Sequence, residues 1–99
     1  MANIEMQLKS GSDNIYSVIA NRVIESNTDL DDCMDIGVWN CYSAAVAATL
    51  THSPVSNAGF PMLVLPVGSS TARMQVIFAG SNIYSRRRTT SSWGSWTTF

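Results

Sequence analysis

The chain has 99 residues, of which 45% are hydrophobic and 13% charged, and its formal net charge is −1. That length builds one small domain with a modest core, near the size at which association supplements stability. The charged share is about half the usual ~25% of soluble proteins. A near-neutral chain argues against nucleic acid as a partner and fits a surface partly covered by copies or partners.

The charge is unevenly placed. All seven acids (Glu5, Asp13, Glu25, Asp29, Asp31, Asp32, Asp35) precede Ile36, against Lys9 and Arg22 alone, which leaves −7 + 2 = −5 for that part. From Ile36 onward there is no acid, and Arg73, Arg86, Arg87 and Arg88 give +4. Such an acidic front and basic back attract each other within a chain or between copies.

Along the chain, Ile4, Met6 and Leu8 alternate with Glu5, Gln7 and Lys9, the pattern of a half-buried strand. Ser10 to Asn14 is turn material, and Ile15 to Ala20 returns as a second strand. The resulting N-terminal hairpin, within residues 1–26, is marginal by itself and needs a surface to lean on. Met1 to Glu5 lacks the basic start and apolar run of a signal peptide, and no apolar stretch is long enough to span a bilayer. A soluble protein made in the cytoplasm is expected, without membrane insertion.

Asn27-Thr28-Asp29 before Leu30 to Met34 reads as one capped helical turn, with acids at the positive end of its dipole. The same acids lack the glycine and closing glutamate of a calcium-binding EF-hand loop. Cys33 and Cys41 flank the turn signal Asp35-Ile36-Gly37. One pair is not a disulfide framework, and nothing supplies the other ligands of a zinc site, so two reduced, mostly buried thiols are expected. Gly37 opens a strand over Val38 to Ser43. Ala44 to Leu50 suits a helix in composition but is short and shows no clear cap.

Thr51 to Pro54 and Ser56 to Gly59 are loops. Met62 to Val67 is a strand in which Pro61 and Pro66 favour an end or an edge. Ser69-Ser70-Thr71 turns the chain into Met74 to Phe78, and Gly80-Ser81-Asn82 turns it into Ile83 to Arg87. Thr89 to Ser92 is the last turn and Trp96 to Phe99 the last strand. These elements predict an all-β antiparallel meander or sandwich with an N-terminal hairpin and at most one short helical turn.

Catalytic chemistry is poorly supplied. His52 is the single histidine, set in a loop, with the nearest acid seventeen positions upstream. A Ser-His-Asp arrangement would have to be assembled around it by folding, and an exposed loop histidine is the simpler expectation. One histidine per chain does not make a metal site, although three copies in a trimer would supply three. No glycine-rich phosphate loop precedes a helix. The expectation is a non-enzyme with no catalytic residues, cofactor or metal.

Arg86-Arg87-Arg88 does not form one surface, because alternate side chains of a strand point to opposite faces. Arg86 and Arg88 are expected to pair with the acidic front of the same or a neighbouring chain. Trp93 and Trp96 stand three apart around Gly94, which permits a bulge. One indole in the core and one at the edge is the plain expectation. The sharper one is a platform on which Trp93, Trp96 and Tyr84 stack a sugar ring, with hydroxyl side chains adding hydrogen bonds.

In order, Asp29-Leu30-Asp31, Gly37-Val38-Trp39, a Ser/Ala/Asn-rich stretch reaching Pro54-Val55, Gly59, Met62-Leu63-Val64-Leu65, Gln75, Ile83-Tyr84 with Arg86, and Trp93-Gly94-Ser95-Trp96 make a pattern. It resembles the pyocin-knob domain of tail fibres of contractile bacteriocins and bacteriophages, over residues 27–99. Gln7 to Val18 resembles the opening of short fibre and head-fibre proteins of phages infecting gut and Gram-positive bacteria. The sequence departs from the family in Ala44 to Leu50, which is more apolar than the usual loop, and this length leaves no shaft or receptor-binding tip.

The resemblance implies a β-rich structural module of a virion, a small fibre or knob subunit assembled in the host bacterial cytoplasm as a homotrimer. Its partners would be copies of itself, other virion proteins of tail or capsid, and host surface glycans. Gly37, Tyr84, Arg86, Trp93 and Trp96 would be framework positions first and glycan or subunit contacts second. Residues 1–26 would attach it to the virion through Ile4, Met6, Leu8, Ile15, Tyr16 and Val18, with the knob outward. The alternatives are a capsid decoration (head-fibre) protein and a carbohydrate-binding module using Trp93, Trp96 and Tyr84.

Overall fold

A computed structural model describes residues 21–99. The expected N-terminal hairpin, with Ile4, Met6, Leu8, Ile15, Tyr16 and Val18, lies outside the described residues. Six strands form one sheet in chain order: β1 (Asn21–Val23), β2 (Gly37–Cys41), β3 (Phe60–Val67), β4 (Ser69–Ala79), β5 (Asn82–Arg88) and β6 (Thr97–Thr98). The all-β meander expected from the turn signals is present. Every neighbouring pair is antiparallel except β1 with β2, where Asn21 opposes Val38 and Val23 opposes Asn40 in parallel. A parallel pair needs a crossover of about a dozen residues or more. The segment from Ile24 to Ile36 supplies it, and the acidic 3-10 turn (Leu30–Asp32) sits inside that crossover.

β4 is longer than its apolar run. Ser69-Ser70-Thr71, expected as a turn, belongs to the strand, because Gly68 alone reverses the chain with φ +71°. Only glycine takes that left-handed geometry at little cost. Pro61 and Pro66 sit near the two ends of β3, the latter where the ladder with β4 shifts register, so an interior strand tolerates both.

Alternation along the strands assigns the two faces. Cys41, Phe60, Met62, Val64 and Ile77 point to one side and are buried there with Ile24, Leu30, Cys33, Ala47 and Val55 from the connections. The second layer over the sheet is therefore built from loops, and a single sheet replaces the sandwich alternative. Ala44–Ala47 adds one α-helical turn, α1. Its cap is Ser43, read from the sequence as the end of a strand, whose Oγ accepts the Val46 N–H at 3.2 Å. Ala47 drops into the core from this turn. Cys33 and Cys41 are both free and buried, as expected, and burial pushes the Cys33 thiol up to about 12.

Candidate functional site: a buried arginine beneath two tryptophans

The site begins at the cap of the 3-10 turn. Asp29 is extended, and its Oδ1 accepts the Asp31 N–H at 2.9 Å, which pins the turn and presents Asp31 toward the sheet. Gln75, fully buried in the middle of β4, donates from Nε2 to the carbonyls of Leu30 (2.7 Å) and Cys33 (3.1 Å). Its Oε1 accepts from Arg86 Nε at 2.8 Å across the β4–β5 ladder. One amide thus fastens the acidic turn to the sheet and orients the arginine.

The Arg86 side chain is only 3% exposed, and its Nη1 lies 2.9 Å from Asp31 Oδ1. Its Cζ stands over the Trp93 ring at 4.2 Å and over the Trp96 ring at 4.6 Å. Both distances place the cation within the range of attraction by the indole faces. The indole N–H groups are also used: Trp93 Nε1 donates to the Asp31 carbonyl at 3.1 Å and Trp96 Nε1 to the His52 carbonyl at 2.8 Å. Burial lowers the guanidinium pKa against the pull of Asp31, and the group stays charged. Both tryptophans are half-buried and act on the same cation, so neither the fully cored nor the free edge position describes them.

His52 completes the cluster. Thr51 pairs with the 3-10 loop through Leu30 N to Thr51 O (3.0 Å) and Thr51 N to Thr28 O (3.0 Å). His52, with φ +60°, then places Nδ1 at 2.8 Å from Asp29 Oδ1 and 3.3 Å from Asp31 Oδ2. It is exposed, as expected of a loop histidine, but it is not free. The Asp29 hydrogen bond and the Asp31 charge raise its pKa. At Asp29, partial burial pulls upward but is outweighed by the bonds from His52 and the Asp31 N–H, and the pKa lies below the ordinary carboxylate value.

Asp29, Asp31 and His52 place three ligand atoms within 4.8 Å of one another. Both carboxylates already have work, Asp29 as the cap and Asp31 as the counter-ion of Arg86. Among the described residues no hydroxyl or thiol is hydrogen-bonded to His52, so a nucleophile–base pair is missing. An open, polar cleft of about 760 Å³ lies over this cluster, lined by Asp31, His52, Arg88, Ser92, Trp93 and Trp96 among others.

Of the residues singled out from the sequence, Arg86, Trp93 and Trp96 meet. Tyr84 shares their face of β5 but packs against the core and lines a separate hollow of about 260 Å³ with Pro54, Asn57 and Asn82. The expected pairing of the basic back with the acidic front holds within the chain for Arg86. It fails for Arg88, whose Nη1 donates instead to the carbonyls of Thr71 (2.9 Å) and Thr90 (3.1 Å). Those loop carbonyls lie beside the strand end, and among the described residues no acid pairs with Arg88. The roles of Gln75 and His52 were missed. A lone amide among Met74, Val76 and Ile77 was a signal for Gln75; nothing local marked His52.

A single six-stranded sheet with its core packed under loops, and a buried cation held beneath two indoles, defines a small β module. No family model matches the chain, and no curated protein matches it. Two solved structures do. The N-truncated R2-type pyocin tail fibre superposes with a TM-score of 0.72 at 23% identity, over 82% of this chain and 32% of that one. The R1 pyocin fibre of P. aeruginosa gives 0.71 at 18% identity, over 82% of this chain and 21% of that one. The chain thus has the fold of a pyocin tail-fibre domain and spans a third or less of the fibres it matches.

Proposed function

We propose that this chain is a structural fibre module of a phage or phage-like particle, a knob subunit that works as a homotrimer and not as an enzyme. The observation that carries the reading is the superposition on a pyocin tail fibre over 82% of the chain. The site agrees with it, because Arg86 Nε and Nη1, Asp31 and Gln75 are engaged with one another, and the buried Arg86 Nη2 is the guanidinium nitrogen left without a partner among the described residues. Arg86, Asp31, Gln75 and the two indoles tie loops to a sheet, which is the work of a scaffold.

In this reading the segment before β1 joins the module to the virion, through Ile4, Met6, Leu8, Ile15, Tyr16 and Val18, and the sheet domain that begins with β1 faces outward. Its partners are other copies and neighbouring virion proteins of tail or capsid. Antibodies against the protein should label an appendage of purified particles from the host that carries it. Particles that lack the protein altogether would sink the reading.

A second reading, contact with host surface glycans, is favoured by the cleft over Trp93 and Trp96 with its serine lining. One face of each indole is committed to Arg86, so a sugar would meet the remaining ring surface and the hydroxyls of Ser91, Ser92 and Ser95. Tyr84 would contribute only through the neighbouring hollow. A glycan array probed with the full chain tests this: binding abolished by Ser92→Trp, which fills the cleft, supports it, and a blank array ends it.

A further inference from the structure

The sheet has a second face, opposite the loops, and its composition is unusual for a surface. Register and alternation place Val38, Leu63, Val76 and Ser85 in one row across β2 to β5, with Leu65, Met74 and Arg87 in a second and Pro61, Phe78 and Ile83 in a third. Val23 opposes Asn40 at one margin. At the other, Phe99 donates its N–H to the Ile83 carbonyl and continues the third row. Val23, Leu65 and Phe78 are exposed by 38–41%, and Phe99 by 76%. The polar pair Ser85 and Thr97 bond to each other, Thr97 Oγ1 donating to the Ser85 carbonyl at 3.1 Å, so they ask nothing of a partner. Among the described residues of this face no acid occurs, and Arg87 is the one charge.

An antiparallel sheet that leaves one face in water makes that face polar. This one does not. We propose that the open face is the surface on which copies of this chain meet, so that Leu63, Leu65, Val76 and Phe78 form the centre of the subunit interface. The inference rests on the reading above that the chain is a module of an assembled fibre.

Size favours a second copy as the occupant. Strands of 3, 5, 8, 11, 7 and 2 residues, at ~3.4 Å per residue and ~4.8 Å spacing, give the whole face, its few polar positions included, roughly 590 Å² before side-chain relief is counted. Monomers seldom expose apolar patches beyond about 300–600 Å², whereas a stable interface takes about 800 Å² from each partner. The chemistry agrees, since interfaces between identical subunits are more apolar than other contacts and depleted of charge at their centre. An identical apolar face on each copy also needs no complementary charge to dock.

The test uses the full chain, compared by sedimentation velocity with Leu65→Glu, Phe78→Glu and, as a control on the loop side, Asn57→Glu. All three side chains are exposed, so a single subunit should keep its fold, checked by circular dichroism. The expected result is an oligomer of fixed mass for the wild type and Asn57→Glu, and folded monomers for Leu65→Glu and Phe78→Glu. Should the charged variants misfold, alkylation of Leu65→Cys decides the question, because Cys33 and Cys41 are buried. Its labelling rate should drop several-fold as protein concentration rises from nanomolar to micromolar. A rate independent of concentration, or a wild type that is monomeric throughout, overturns the inference and assigns the face to residues 1–20 or to another protein. Charged variants that stay assembled overturn it too, yet leave the fibre reading standing, since assembly would then use another surface.

Discussion

Gln75 and Arg86 face each other across β4 and β5 and share a buried hydrogen bond of 2.8 Å, and through it the sheet holds the acidic loop. The amide serves three partners at once: two carbonyls of the loop and the guanidinium. Replacing Gln75 by Leu keeps the volume but strands all three in an apolar setting. The expected loss is about 2–4 kcal/mol of unfolding free energy, from one network with several unsatisfied groups. Urea unfolding measures it, and a loss below about 1 kcal/mol would mean that the loop is held by its apolar contacts instead.

Asp31 and Arg86 are not equally buried, at 33% and 3% side-chain exposure. Removing the carboxylate leaves a charge inside, so Asp31→Asn should destabilise by about 3 kcal/mol. Pairing it with Arg86→Met removes the stranded charge and should recover part of that loss, because apolar replacement of a buried pair is often near neutral. Urea curves of the single and double variants form the cycle. A double variant as weak as the sum of the singles would show that the two groups are uncoupled.

The His52–Asp29 contact predicts a pH dependence. The folded pKa of His52 is raised, so its contribution is complete below the ordinary imidazole value of about 6.5 and fades as pH rises through the folded value. The folded pKa of Asp29 is lowered, so its contribution is complete above the ordinary carboxylate value of about 3.9 and fades as pH falls through the folded value. The urea midpoint should therefore be highest between about pH 4 and pH 6.5 and decline toward pH 8. In His52→Gln the decline on the alkaline side should flatten. An unchanged slope would remove His52 from the network.

Gly59 lies where the loop approaches β2. A Cβ there would stand 2.7 Å from the Cys41 carbonyl oxygen at the end of β2 and 3.2 Å from the Ser43 nitrogen at the cap of α1, both backbone atoms. Gly59→Ala should cost about 1–3 kcal/mol, the usual range for overpacking that backbone cannot relieve. At Gly94 the nearest atom, the Arg87 carbonyl oxygen, is 3.5 Å from the same imagined carbon, so Gly94→Ala should leave the thermal midpoint almost unchanged. Equal effects at both positions would refute the distinction.

The sequence by itself determined the all-β class, the positions of most strands and the capped turn. Each follows from neighbours a few positions apart: short apolar runs between turn residues mark Met62 to Val67, Met74 to Phe78 and Ile83 to Arg87 as strands, and Thr28 or Asp29 stands where the turn after it needs a cap, the role the structure gives to Asp29. The family pattern, read as an order of short motifs, already pointed to the fold of a tail-fibre domain.

Only the tertiary structure decided that β1 runs parallel to β2, that Ser43 caps α1, and that Trp93, Trp96, Asp31 and His52 gather around Arg86. The bonds that bring His52 to Asp29, Trp96 to His52 and Trp93 to Asp31 join residues 23, 44 and 62 positions apart, and no local period reports the path a loop takes. His52 reaches Asp29 because Thr51 pairs with the backbone on either side of it, not because of any spacing between them. Backbone pairing at a distance, settled by burial of the whole core, is what the chain had to fold to reveal.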